Sequence, residues 1–200
     1  MERGAEAVVS AGNYLGRDSA VKTRLPKAYR DPYLDRSLRA SRVKKEARLL
    51  REARSAGVRT PFIYDIDLEE SSIVMEMIHG SKVRDALRRD NPDSQSICEK
   101  IGASLAKLHS RRISHGDLTT SNMIMDDGEL CLIDFSLGNM PASDEDLGVD
   151  VHLLRRAFMS AHSEVSDLFE ALMQSYKDNN PDWERVVAKA DEIQRRGRYT

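Results

Sequence analysis

Two hundred residues with a net charge of −2, 40% hydrophobic and 32% charged, suit one domain or two small lobes and can bury a real core. No stretch approaches the roughly 20 consecutive apolar residues of a membrane span, and the start MERGAEAV lacks an apolar signal-peptide core. Cys98 and Cys131 each lie in an apolar run, and no Cys/His pair has ligand spacing. That pattern predicts reduced core thiols in an intracellular, cytoplasmic protein and argues against a zinc site.

Taken in chain order, Gly4–Arg24 reads as short strands with turns at Gly12-Asn13 and Gly16-Arg17-Asp18. Pro26 and Pro32 bracket a loop. The spacing of Val43, Ala47, Leu50 and Ala53 predicts a helix over 38–56, stopped at Gly57. FIYDID and SSIVMEMI predict two strands joined by an acidic turn, and Ser81–Arg89 a short helix. Ile97, Ile101, Leu105 and Leu108 form one buried stripe over Ser94–Arg111, with Ser94 as N-cap. MIMD and LCLIDF follow as a hairpin turned at Asp127-Gly128. From Asp150 onward the chain reads as helices. The whole is an α+β pattern in two unlike halves, and a crevice between such halves suits a ligand.

Charge is unevenly placed along this order. Val21–Thr60 carries 13 Lys+Arg against 4 Asp+Glu, whereas Asp126–Asp150 carries eight acids and no Lys or Arg. Such blocks point to a polyanion, metal ions or a charged partner, the plainer alternative being two solvated faces.

The stretch SHGDLTTSNMIMDDGELCLIDFS, Ser114–Ser136, concentrates the chemistry. A tight hairpin between Asn122 and Asp134 would bring its two ends together. An amide and a carboxylate oxygen there suit Mg²⁺, which shares its remaining positions with water and phosphates. Asp117, in the loop after a buried helix, is left to accept a proton from a hydroxyl or to orient a water.

HGDLTTSNMI followed by LIDFS resembles the catalytic loop and metal-binding motif of the protein-kinase-like fold. The resemblance implies a bilobal α+β architecture: a small N-terminal sheet lobe with one main helix over residues 1–78, and a reduced helical lobe over 79–200 that holds the hairpin 114–136. It implies ATP and Mg²⁺ as cofactors. Asp117 becomes the catalytic base, Asn122 and Asp134 the metal ligands, Lys22 of SAVKTR the phosphate lysine and Glu46 its partner. Met75 would face the back of the nucleotide pocket, with backbone groups of Glu76 to Ile78 near an adenine. Asp150 matches a buried Asp that steadies the catalytic loop, although an N-cap fits it equally. Three departures stand out: no tight glycine cluster near Gly4 and Gly12, Ser136 in place of the motif's glycine, and no long activation segment before Asp150.

Nearly the whole chain is similar to one branch, the small atypical kinase subunit of the KEOPS (EKC) complex. The opening GAEA, Val21–Leu50 with KAYRDP and LDRSLR, the two site motifs, VDVHLLRRAF and the tail QRRGRYT carry this resemblance. It implies ATP hydrolysis or Ser/Thr phosphorylation in a complex with a tRNA threonylcarbamoyltransferase subunit and other KEOPS subunits. The basic segment would then face tRNA or an acidic partner. Two further readings compete: a small-molecule phosphotransferase resembling aminoglycoside or choline kinases, and a scaffold that binds ATP without turning it over.

Overall fold

The computed structural model describes residues 2–3 and 7–197. Gly4–Glu6 of the opening motif and the last three residues of the tail lie outside them. An antiparallel sheet of order β1-β2-β3-β5-β4 comprises β1 (Glu2–Arg3), β2 (Ala7–Tyr14), β3 (Arg17–Arg24), β4 (Ile63–Asp67) and β5 (Ser72–Glu76). The helix α1 (Pro32–Ser55) joins β3 to β4. A second sheet, β6-β7-β8, holds β6 (Ser81–Lys82), β7 (Met123–Asp126) and β8 (Glu129–Leu132). The remaining elements are a one-turn helix α2 (Val83–Ala86), then α3 (Ser94–Ser110), α4 (Asp144–Ala161), α5 (Leu168–Asn179) and α6 (Trp183–Arg196). The result is a bilobal, kinase-like α+β fold. No helix among the described residues is long and apolar enough to cross a membrane.

Two apolar cores organise it. A small one joins Val43, Ala47, Ile73 and Met75 between α1 and the sheet. A large one runs from Leu49, Leu50 and Ala53 of α1 through α3, α4, α5 and the β7–β8 hairpin. One helix therefore contributes to both cores, and Ile63 of β4 packs against both as well.

Several boundaries differ from the sequence expectation. The β2–β3 turn is made by Leu15 and Gly16, both at positive φ (50° and 82°). Gly12 and Asn13 stay inside β2, opposite Ser19 and Asp18. A Cβ at Gly12 would come within 3.1 Å of Ser19 Oγ and Val21 Cγ2, so this glycine permits close strand approach. Arg17 and Asp18 likewise belong to β3. The main helix begins at Pro32, well before residue 38. Asp31 caps it by accepting from Tyr33 and Leu34 N–H at 3.0 Å, with Pro32 in the first turn. The apolar stripe missed this start because the first turns expose Leu34 and Leu38.

Ser81–Arg89 is not one helix. Ser81 and Lys82 pair with Met125 and Ile124 as β6 before the single turn of α2. Ser94 is not the N-cap of α3. Asp93 occupies that position, and Ser94 Oγ donates instead to Arg88 O at 2.7 Å, tying down the preceding loop. Asp150 is not an N-cap either: Ser143 caps α4 in a capping box with Asp146.

Candidate functional site

The candidate site is assembled from β3, α1, the 115–122 loop and the segment that follows the β7–β8 hairpin. Lys22 lies on β3, the middle strand of the first sheet, and is 7% exposed. Its Nζ donates to Glu46 Oε1 at 2.6 Å and to Asp134 Oδ1 at 2.7 Å. Glu46, buried on the inward stripe of α1 beside Val43, Ala47 and Leu50, also accepts from Arg24 Nη2 at 2.5 Å. Arg24 escaped the sequence reading. It lies two residues after Lys22, and the period-two alternation of a strand puts both on one face, so the signal was present.

The hairpin closes as its length predicts. Ile133 N–H donates to Asn122 O at 3.0 Å. The reverse turn uses Asp127 and Gly128, with φ of 48° and 79°. Asn122 Nδ2 donates to Asp117 O at 2.8 Å and to Asp117 Oδ2 at 2.9 Å. That leaves the amide oxygen of Asn122 as its acceptor.

Asp134 adopts φ of 64°, a left-handed position that Asp tolerates better than most residues. Its Oδ1 accepts from Lys22 and from both Oγ and N of Ser136, whereas Oδ2 has no partner among the described residues. Burial pushes this carboxyl up, but the Lys22 ammonium and the Ser136 bonds outweigh it and hold it below the usual carboxylate range. Among the described residues no three His, Cys, Asp or Glu side chains gather as a metal cage. The set of one carboxylate and one amide oxygen fits a Mg²⁺ that takes its other ligands from phosphates and water.

A buried polar chain holds the 115–122 loop. Asp150, fully buried on α4, accepts from His115 N at 2.6 Å and Gly116 N at 2.7 Å. A Cβ at Gly116, where φ is 81°, would lie 2.3 Å from Leu137 O, so only glycine fits there. His115 packs on Phe135 with centroids 4.5 Å apart and bridges Ile133 O through Nε2 and Asp117 N through Nδ1. Those partners require the proton on Nε2. Behind Asp150, His109 Nε2 lies 3.4 Å from Oδ2, and His109 Nδ1 lies 2.8 Å from Tyr176 Oη. Tyr176 Oη in turn accepts from Asn180 at 2.7 Å. His109, Tyr176 and Asn180 gave no sequence signal, because the chain they form runs from α5 through α3 to Asp150 on α4.

On β5, Met75 is 8% exposed in the small core, opposite Ala20 on β3. Glu76 N–H donates to Phe62 O at 2.8 Å, and Ile78 lies half-buried in the connection to β6. The Glu76 side chain meets Arg59, which forks onto both carboxylate oxygens at 3.0 and 2.8 Å and reaches Asp126 at 3.3 Å. Arg59 thus clamps the end of β5 to the β7–β8 hairpin.

Arg59→Ala is expected to cost about 1–3 kcal/mol in urea unfolding, and Arg59→Lys to recover only part of it because lysine cannot fork. The Arg59 hydrogen bonds hold the Glu76 carboxyl below its usual value. The clamp's contribution is therefore present above the unfolded-state pKa and fades as pH falls through the lowered folded value. An Ala variant unfolding at the parent midpoint at neutral pH would show that the clamp contributes nothing.

Four of the thirteen cations of the basic block are thereby paired within the fold: Lys22 and Arg24 serve Glu46, Arg39 serves Asp35 at 2.7 Å, and Arg59 serves Glu76. Exposed cations remain on α1, where Lys44, Lys45 and Arg48 line a cavity of about 230 Å³ with Leu49 and Met140. A groove of about 420 Å³ between α1 and β4 shares Lys44 and Arg48 with that cavity and contains none of Lys22, Glu46, Asp117, Asn122 and Asp134.

Residues 16–171 match the RIO domain family. The chain is 38% identical over 200 residues to a probable bifunctional tRNA threonylcarbamoyladenosine biosynthesis protein of Methanobrevibacter smithii, covering 99% of this chain and 36% of that protein. It is 38% identical over 183 residues to the KEOPS complex subunit Bud32 of Pyrococcus abyssi, covering 90% of this chain and 83% of that one. It thus spans about a third of the bifunctional relative and most of the separate subunit. Among solved structures, the Rio2 kinase–ADP/Mg²⁺-phosphoaspartate complex of Chaetomium thermophilum superposes with a TM-score of 0.62 at 16% identity, over 97% of this chain and 70% of that one. With the fold, the cleft and these likenesses together, the chain belongs to the RIO domain family, in the branch that includes the KEOPS subunit Bud32.

Proposed function

We propose that this chain is an atypical Mg-ATP-dependent serine/threonine kinase or ATPase that supports a KEOPS assembly forming threonylcarbamoyladenosine on tRNA, working in the cytoplasm. The observation that carries the reading is the buried Lys22 shared between Glu46 and Asp134 across the cleft, at 2.6 and 2.7 Å. A lysine held by two acids from two other elements is preorganised for a polyphosphate, and its charge needs no rearrangement when the anion arrives.

In this reading Lys22 binds phosphate oxygens while Glu46, anchored by Arg24, keeps it aimed. Asn122 and Asp134 would hold Mg²⁺, which would supply positive charge against the phosphate oxygens. Asp117 orients the acceptor hydroxyl or water and takes its proton, with the Asn122 amide fixing its rotamer. Met75 backs the pocket, and the carbonyl of Glu76 and the backbone of Ile78 meet the base. The chain docks a tRNA threonylcarbamoyltransferase subunit and other KEOPS subunits, and the α1 cations Lys44, Lys45 and Arg48 meet tRNA phosphates.

The test is release of ADP from ATP by the full chain, with and without Mg²⁺, a threonylcarbamoyltransferase subunit and tRNA. Magnesium-dependent turnover that rises with the partner or tRNA is expected. Absence of turnover in every pairing would leave a scaffold.

A further inference from the structure

At position 136 a glycine could offer Asp134 only its N–H. Ser136 offers that N–H at 3.3 Å and also its hydroxyl, at 2.5 Å, to the same oxygen, Oδ1. With Lys22 at 2.7 Å, Oδ1 has three donors, and Oδ2 is left without a partner among the described residues. The Asp134 side chain is 38% exposed, so packing alone does not fix its rotamer, and its left-handed backbone is intrinsically unfavourable. The hydroxyl is a short bond that resists rotation of the carboxylate about both torsions.

We infer that Ser136 is a positioning residue that presents Asp134 Oδ2 as a single-oxygen ligand to a divalent cation. The inference rests on the metal assignment proposed above. Hydrogen bonds to a ligating carboxylate from outside the coordination sphere orient it and reduce the freedom lost on binding. Two donors on Oδ1 besides Lys22 also disfavour a bidentate grip, the mode typical of larger cations such as Ca²⁺ rather than Mg²⁺.

The experiment counts bound Mn²⁺ by electron paramagnetic resonance in the full chain with saturating ADP. Parallel measurements follow metal-free ADP affinity and thermal unfolding. Ser136→Ala is expected to weaken Mn²⁺ about 10-fold, with ADP affinity in EDTA and the unfolding midpoint unchanged, and Ser136→Thr to restore Mn²⁺ binding. The idea fails if Ser136→Ala holds Mn²⁺ as tightly as the parent, or if metal-free ADP binding falls in step with Mn²⁺. Parent binding with an unaffected Ser136→Ala removes only the role of Ser136. No Mn²⁺ binding by the parent removes that role and the metal assignment together.

Discussion

Asp134→Asn should lower Mg²⁺-dependent ATP turnover by at least about 10²–10³-fold while the chain stays folded. The size of the effect follows from charge. Lys22 and Ser136 engage Oδ1, and Oδ2 has no partner among the described residues, so one oxygen of a charged carboxylate stays available to a cation. An amide keeps the shape and the left-handed backbone at φ 64°, because Asn visits that region as readily as Asp. It removes the charge that a divalent cation needs.

Fold loss does not confound the comparison. Lys22 keeps Glu46 at 2.6 Å, so its ammonium is still paired inside the protein. Ala at this position is the poorer choice, since a left-handed alanine adds roughly 1–2 kcal/mol of strain unrelated to catalysis. Steady-state turnover at saturating Mg²⁺ and denaturant unfolding of the same preparation check the prediction together. More than a tenth of the parent rate surviving in Asp134→Asn would remove Asp134 from the metal.

Asp150→Ala is expected to destabilise the chain by about 3–5 kcal/mol, a fall in melting temperature of roughly 6–20 °C, and to lower turnover as well. The carboxylate is completely buried and accepts from two consecutive backbone amides at 2.6 and 2.7 Å, with His109 behind it at 3.4 Å. Deleting it strands His115 and Gly116 N–H in a dry interior, and each stranded donor costs about 1–3 kcal/mol. The same two amides begin the loop that carries Asp117, so its position loosens together with the fold.

Asp150→Asn separates charge from shape. Its amide oxygen can accept from one of the two N–H groups, while its NH₂ faces the other, so a loss between parent and Ala is expected. An Ala variant within 1 kcal/mol of the parent in urea unfolding would mean that the loop does not depend on this brace. Thermal unfolding with turnover at 25 °C measures both arms.

How far this protein was legible in its sequence follows the range of the interactions. Local patterns were read directly: the two short strands β4 and β5 with their acidic turn, the stripe of α3 at 97, 101, 105 and 108, and the Asp127-Gly128 turn are written within a few residues of one another. The spacing of Asp117, Asn122 and Asp134 also encodes a loop and a hairpin, because both are short. Boundaries set by something other than an apolar stripe were misread. Pro32 starts α1 through the Asp31 cap, and Ser81 joins a strand because β7 lies beside it.

What the tertiary structure alone decided are the partnerships between distant segments. Lys22 and Asp134 are 112 residues apart; the resemblance puts both in one site, but the direct bond between them comes from the packing. The Asn180–Tyr176–His109–Asp150 chain draws on three helices, and Arg59 joins β5 to a hairpin some fifty residues further along. The choice between cap and brace for Asp150 belongs here too. A short sequence window records propensity and periodicity. Which buried charge meets which depends on how the helices and sheets pack, and packing is a property of the whole chain.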